Sequence, residues 1–76
     1  MAEERSTQAV VIYGDFIELN RLLKKADLAA TGGEAKILIG EGLIMVDGQP
    51  EHRIRRKIRP GSLVECQGVR LRVCQP

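Results

Sequence analysis

The spacing of apolar residues along this chain changes several times, and each change marks an element. Ala9 to Tyr13 is an unbroken apolar run closed by Gly14-Asp15, which predicts a buried strand. From Asp15 the period lengthens. Phe16, Leu19, Leu22, Leu23 and Ala26 recur at three- and four-residue intervals, as on the buried face of an amphipathic helix. Asp15 with Glu18 forms a capping-box pattern at its start. The polar face carries Glu18, Arg21, Lys24 and Lys25, with the cations late in the helix where the macrodipole favours them.

Asp27 to Ala30 connects this helix to the most informative stretch, Thr31 to Gly48. Thr31 followed by Glu34 is a second capping box. Gly32 and Gly33 are poor helix formers, so their place in the first turn suggests open or closely approached amides. Ala35, Ile37, Leu38 and Ile39 give the helix an apolar body, and Gly40 and Gly42 can adopt the left-handed conformation that ends it. Leu43 to Val46 is β-prone, and Asp47-Gly48 is a strong two-residue hairpin signal.

Beyond that turn, Pro50 predicts an edge position, since it cannot donate to a central ladder. Arg53 to Arg59 reads RIRRKIR. In an extended segment Arg53, Arg55, Lys57 and Arg59 share one face while Ile54 and Ile58 anchor the other. Pro60-Gly61 marks a turn. The last segment predicts a hairpin about Gln67-Gly68 that pairs Cys66 with Val69, Glu65 with Arg70, Val64 with Leu71 and Leu63 with Arg72. Val64, Cys66, Val69, Leu71 and Val73 then form one apolar face.

At 76 residues the chain makes one domain with a small core, burying about 60–65 % of its unfolded surface, which disfavours a large enclosed active site. No run of about 18 apolar residues is present to cross a membrane, and the acidic start Met1-Ala2-Glu3-Glu4 is unlike a signal peptide. A cytoplasmic protein is expected. Charge changes the picture most: residues 1–48 hold five basic and eight acidic groups, net −3, and residues 49–76 hold seven and two, net +5. So polarised a distribution points to an anionic partner.

The five cations at Arg53, Arg55, Arg56, Lys57 and Arg59 have no acid among them and suit phosphate neutralisation, with arginine adding bidentate geometry. Edge-strand protection needs fewer charges, and a nuclear-import signal would lie in a flexible tail. For Thr31 to Lys36 two readings stand level: a phosphate cradle of open amides plus the Lys36 ammonium, or an ordinary capped helix. GxxxxGK[ST] is absent. Cys66 and Cys74, the only cysteines, fall off-pair in the hairpin register and read as reduced structural thiols. His52, the sole histidine, leaves zinc sites and a Ser-His-Asp triad without support; it is a phosphate contact or a bystander. No carboxylate pair suggests acid–base chemistry. The only aromatics, Tyr13 and Phe16, both fall in expected core positions, which argues for recognition by charge and shape over base stacking.

Leu19 to Leu23, the Ala35-Lys36 step and above all GEGLIMVDG, Gly40 to Gly48, resemble the RNA-binding domain named after small-subunit ribosomal protein four, the S-four domain. That family's pattern is two helices, a strand of the form G-x-V-x-V-[ND]-G, and a later turn into a strand, here Pro60-Gly61-Ser62-Leu63-Val64. The resemblance covers Asp15 to Cys66. Many members place Ser-Arg at the second helix start with the arginine on RNA, whereas this chain has Thr31-Gly32-Gly33, similar to the small stand-alone bacterial YbcJ-like group. The resemblance implies a module with an αL-type motif that binds structured RNA through the two helices and the following hairpin. Such domains often accompany pseudouridine synthases or tRNA synthetases.

The sequence therefore predicts an α+β fold, a two-helix αα corner on a small, mostly antiparallel sheet, with residues 1–8 a flexible tail and 9–76 one domain. Its expected function is non-enzymatic binding of structured RNA, ribosomal or transfer, in translation-related RNA handling, by a monomer needing no cofactor, metal or small-molecule substrate. Arg53, Arg55, Arg56, Lys57 and Arg59 are the expected phosphate contacts. Lys24, Lys25 and Lys36 widen the patch, and Thr31, Gly32 and Gly33 offer an oxygen-binding nest. Two alternatives remain: a protein-interaction module docking an acidic or ribosomal protein, and an accessory subunit delivering RNA to a separate enzyme.

Overall fold

The computed structural model describes residues 6–76. In chain order the elements are β1 (Ser6–Val11), β2 (Ile17–Glu18), α1 (Leu19–Lys25), α2 (Gly32–Gly40), β3 (Ile44–Val46), β4 (Gln49–Pro50), β5 (Lys57–Ile58), β6 (Leu63–Cys66) and β7 (Val69–Cys74). Five strands form one sheet in the order β1-β7-β6-β3-β4, and β2 pairs with β5 in a second, two-stranded sheet. All pairings are antiparallel except β1 with β7. The chain is α+β, as its patterning indicates.

Two turns set the register. Asp47 and Gly48 have φ of 51° and 85°, and Gln67 and Gly68 have 51° and 86°, so each turn carries two left-handed residues in succession, as a two-residue hairpin of right-twisted strands requires. The β6–β7 register is the expected one, Cys66 opposite Val69 through Leu63 opposite Arg72, and Val64, Cys66, Leu71 and Val73 are buried. Asp47 also ties its turn to β6. Its Oδ1 accepts the Leu63 amide at 2.9 Å, its Oδ2 accepts the Ser62 hydroxyl at 3.2 Å, and its own amide donates to the Leu63 carbonyl at 2.8 Å. Pro50 sits at the sheet edge, where its missing N–H costs nothing.

At α2, Thr31 Oγ1 accepts the Glu34 amide at 3.1 Å, while Glu34 Oε1 accepts the Ala30 amide at 2.8 Å, one residue before the usual capping-box partner. Both helices stop in the same way. Leu43 N–H donates to Leu38 O and Gly42 N–H to Ile39 O, and at α1 Leu28 N–H donates to Leu23 O and Asp27 N–H to Lys24 O. These are Schellman closures, with the left-handed position held by Gly42 at φ 76° and by Asp27 at φ 63°. The core closes between the helices and the sheet, with Leu19, Leu22, Leu23, Ile39, Ile44, Ile58, Val64, Leu71 and Val73 fully buried.

Several sequence expectations need correction. β1 begins at Ser6, because its parallel ladder with β7, from Ser6↔Val69 to Val11↔Cys74, is made by backbone groups and needs no apolar sequence. Ser6–Gln8 therefore belong to the sheet; residues 1–5 of the expected tail lie outside the described residues. Burial along β1 alternates, Val10 and Ile12 inward, so Tyr13 points out and is 83 % exposed. Helix α1 begins at Leu19, not Asp15, because Ile17 and Glu18 pair with Ile58 and Lys57; Phe16 thus lies outside the helix and is 40 % exposed. Arg53–Arg59 is not one strand. Arg56 N–H turns back to Arg53 O at 3.3 Å, and only Lys57–Ile58 is β. Ile37, expected in the body of α2, faces outward.

Cys66 is buried and Cys74 half-buried, and both are free thiols. Burial pushes the Cys66 thiol up from its ordinary value. Replacing Asp47 by Ala should cost about 1–3 kcal/mol by leaving the Leu63 amide without its side-chain acceptor. Asn at the same site keeps an acceptor oxygen and tolerates the left-handed backbone, so its effect should be smaller. Urea denaturation of the two variants checks both the size and the order.

Candidate nucleic-acid interface

The segment after β4 carries its cations on a scaffold of backbone bonds. At the start of α1 the Leu19 amide donates to Arg56 O at 2.9 Å and the Asn20 amide to Ile54 O at 3.1 Å. Helix α1 has no side-chain cap, so these carbonyls do the capping, satisfying amides that a helix start otherwise leaves orphaned. With its carbonyls on α1, Ile58 buried and Ile54 packed on the core, the segment turns its charged side chains outward. Arg53, Arg55, Arg56, Lys57 and Arg59 line one open depression of about 520 Å³ together with Ser62. The outward alternation expected of a strand is thus reached by a turn and a two-residue strand.

Glu51, which sequence reasoning passed over, organises this depression. It is the one buried charged residue among the described residues, 6 % exposed, and its amide continues the sheet by donating to Ile44 O at 3.0 Å. Its Oε2 accepts from Arg53 N at 2.9 Å and from Arg53 Nε at 3.0 Å, while Oε1 accepts from Arg53 Nη2 at 3.1 Å and from Arg56 Nη1. The Arg53 side-chain bond, helped by the Arg53 amide and Arg56, outweighs burial and lowers the Glu51 carboxyl from 4.5 to about 2. Glu51 in turn pushes the Arg53 guanidinium further up. The Arg53 side chain still leaves 73 % of its surface to solvent, so it is oriented without being consumed. The available signal was a single acid two residues before the first cation of the run.

A second depression, of about 580 Å³, is lined by Ile17, Asn20, Arg21, Lys24, Lys25 and Gly32. Between the two lies a smaller one of about 280 Å³, formed by Phe16, Ile17, Glu18 and Arg21. Glu18 connects them: its Oε2 faces Arg55 Nε at 3.4 Å and its Oε1 faces Arg21 Nε at 3.8 Å. The result is a track of two basic depressions, from Arg53 to Lys25, joined at Glu18. The structure brings Lys24, Lys25 and Gly32 into it and adds Arg21, a polar-face residue of the expected helix. Thr31 and Gly33 lie at the α2 start beside it, with Thr31 Oγ1 already engaged by Glu34. Lys36 is exposed on α2 and lines none of these three depressions. His52 lies against the end of α2, where a Cβ on Gly42 would meet His52 Nε2 at 3.3 Å.

Among the described residues no three His, Cys, Asp or Glu side chains group as a metal site would require, and no helix is long and apolar enough to cross a membrane. Residues 10–74 match the family described as the S4 domain. The chain belongs to the S4 domain family. Among its relatives is a Bacillus subtilis (strain 168) protein named "Probable ribosome maturation protein RlbA", 37 % identical over 59 residues that make up 78 % of this chain and 83 % of the relative. The YbcJ protein of Escherichia coli (strain K12) is 44 % identical over 52 residues, 68 % of this chain and 74 % of that one. A solution structure of E. coli YbcJ, described as revealing an alfaL motif involved in RNA-binding, superposes with a TM-score of 0.63 at 34 % identity, covering 97 % of this chain and 92 % of that chain. The S4 motif GLIMVDG now has a physical account: Gly42 closes α2, Ile44 and Val46 enter the core, and Asp47-Gly48 makes the turn whose carboxylate holds β6.

Replacing Glu51 by Gln should release Arg53 and Arg56 from their shared acceptor and destabilise the domain at neutral pH. Because the folded carboxyl titrates at about 2 against an ordinary 4.5, its contribution is complete above pH 4.5 and is lost as pH falls through that window. The stability gap between wild type and Glu51→Gln should therefore close on acidification. Denaturant titrations across the acid range measure it.

Proposed function

We propose that this S4 domain binds structured RNA, ribosomal or transfer RNA, as a non-enzymatic, monomeric module that works in the cytoplasm during ribosome maturation or related RNA handling. The observation that carries the reading is the pair of basic depressions on either side of Glu18, one in which Arg53, Arg55, Arg56, Lys57 and Arg59 are gathered by backbone capping and by Glu51, the other formed by Arg21, Lys24 and Lys25. Charges held in place lose less side-chain freedom when they meet phosphates than charges on a mobile tail. The relative named for ribosome maturation and the solved relative with a motif involved in RNA-binding agree with this reading.

In this reading Arg55, Lys57 and Arg59, the exposed cations of the first depression that Glu51 does not hold, take the nearest phosphates. Arg53 and Arg56 present geometry set by Glu51. Lys24 and Lys25 reach the next turn of the RNA, and the Gly32 and Gly33 amides at the start of α2 donate to a phosphate oxygen where the track ends. Lys36 contributes long-range attraction only.

Fluorescence anisotropy with labelled ribosomal RNA hairpins at several salt concentrations tests the proposal. Affinity should fall steeply with salt. Arg55→Glu with Lys57→Glu should lower it by roughly tenfold or more and flatten the salt slope by about 0.7–0.9 for each phosphate that is no longer neutralised. A salt slope near zero in the wild type would instead assign the basic face to an acidic protein.

A further inference from the structure

Phe16 breaks the uniformity of the cationic track. Its ring is exposed, lies between the two basic depressions, and has Lys57 Nζ 4.9 Å and Arg59 Cζ 6.0 Å from its centroid. A cation over a ring is favourable in itself, so the two cations hold the ring in position. The hollow beside the ring differs from its neighbours. Phe16 and Ile17 give it apolar walls, and Glu18, flanked by Arg55 and Arg21, gives it a carboxylate. A carboxylate beside an aromatic ring repels a phosphate, but it can accept N–H groups from the edge of a base. Apolar and aromatic walls suit the face of one. The track therefore reads phosphate sites on both sides and a base site in the middle.

We propose that Phe16 stacks an unpaired nucleotide, so that the RNA recognised is a helical stem interrupted by a bulged or looped-out base, with the stem's phosphates on the flanking cations. This rests on the RNA-binding reading and narrows it to a class of RNA. A stem paired throughout offers the ring no exposed base face. A single strand without a stem offers no regular spacing of phosphates to the two depressions. Phe16 supplies the stacking surface, Lys57 and Arg59 hold the ring, and Glu18 lines the same hollow as the ring and can accept from the base edge.

The test uses the full chain and two labelled RNA hairpins that differ by one bulged 2-aminopurine. Wild type should bind the bulged hairpin more tightly than the paired one by roughly 5- to 150-fold, the range that base–aromatic stacking supplies. The 2-aminopurine fluorescence should be quenched on binding. Phe16→Leu should remove the preference and the quenching while leaving affinity for the paired hairpin unchanged, and Phe16→Trp should retain both. Thermal unfolding verifies that each variant folds. Equal affinity of the wild type for the two hairpins would overturn the proposal. An equal weakening on both hairpins in Phe16→Leu would also overturn it, since the ring would then serve only to hold Lys57 and Arg59. If the wild type binds neither hairpin even at low salt, the RNA-binding reading falls as well, and the two failures are told apart by the paired hairpin alone.

Discussion

The docking of residues 51–59 onto the start of helix α1 is the constraint on which the rest of the structure depends. Two carbonyls, of Ile54 and Arg56, take the amides of Asn20 and Leu19, and the β2–β5 pair continues the contact to Ile58. A helix start buried without such acceptors would carry the full cost of unmade hydrogen bonds. The backbone carbonyls and isoleucines of this segment face α1 and the core, while Arg53 and Arg56 engage Glu51 and Arg55 reaches Glu18, so the segment's charged side chains lie on its outer side. Structure and charge are divided between the two sides of one loop.

Glu51 resolves the difficulty that this division creates. Five like charges within seven residues repel one another, and repulsion on that scale would favour an opened loop. One buried carboxylate at the head of the run, fixed to the sheet through its amide, anchors two of the five and lowers the local charge from within. Burying the carboxylate costs desolvation, and the four hydrogen bonds that meet it offset that cost. The half-buried pair of Glu65 with Arg70, at 3.3 Å across the β6–β7 hairpin, ties two strands and not a loop.

What the sequence made legible was whatever local chemistry decides. The Thr31 cap, the Asp47-Gly48 and Gln67-Gly68 turns, the β6–β7 register and the edge place of Pro50 all follow from residues near one another in the chain. What it hid was decided by partners far away. The start of α1 was misplaced because Asp15 and Glu18 make a plausible local cap, while the real acceptors lie in a segment more than thirty residues on. The same error put Phe16 in the core. Tyr13 was misjudged because a continuous apolar run at the edge of a sheet still alternates in and out. The basic residues were visible as a group, Lys24 and Lys25 with them, but the carboxylate that arranges them was one glutamate among ordinary acids, and only the fold adds Arg21.

The parallel pairing of β1 with β7 also bears on how the chain reaches this state. A parallel pair cannot be closed by a hairpin, and here the strands meet across nearly the whole chain, the Cys74 thiol lying against the Val10 carbonyl 64 residues away. The other strands of the large sheet are joined by turns or by short crossings. The helices and the cationic loop are related by closures of intermediate length. Loop-closure entropy is therefore highest for the docking of the first strand. Until residues 69–74 are in place, β1 has no neighbour, and the edge that it will cover on β7 stays open, while the face that carries the cations can already be assembled.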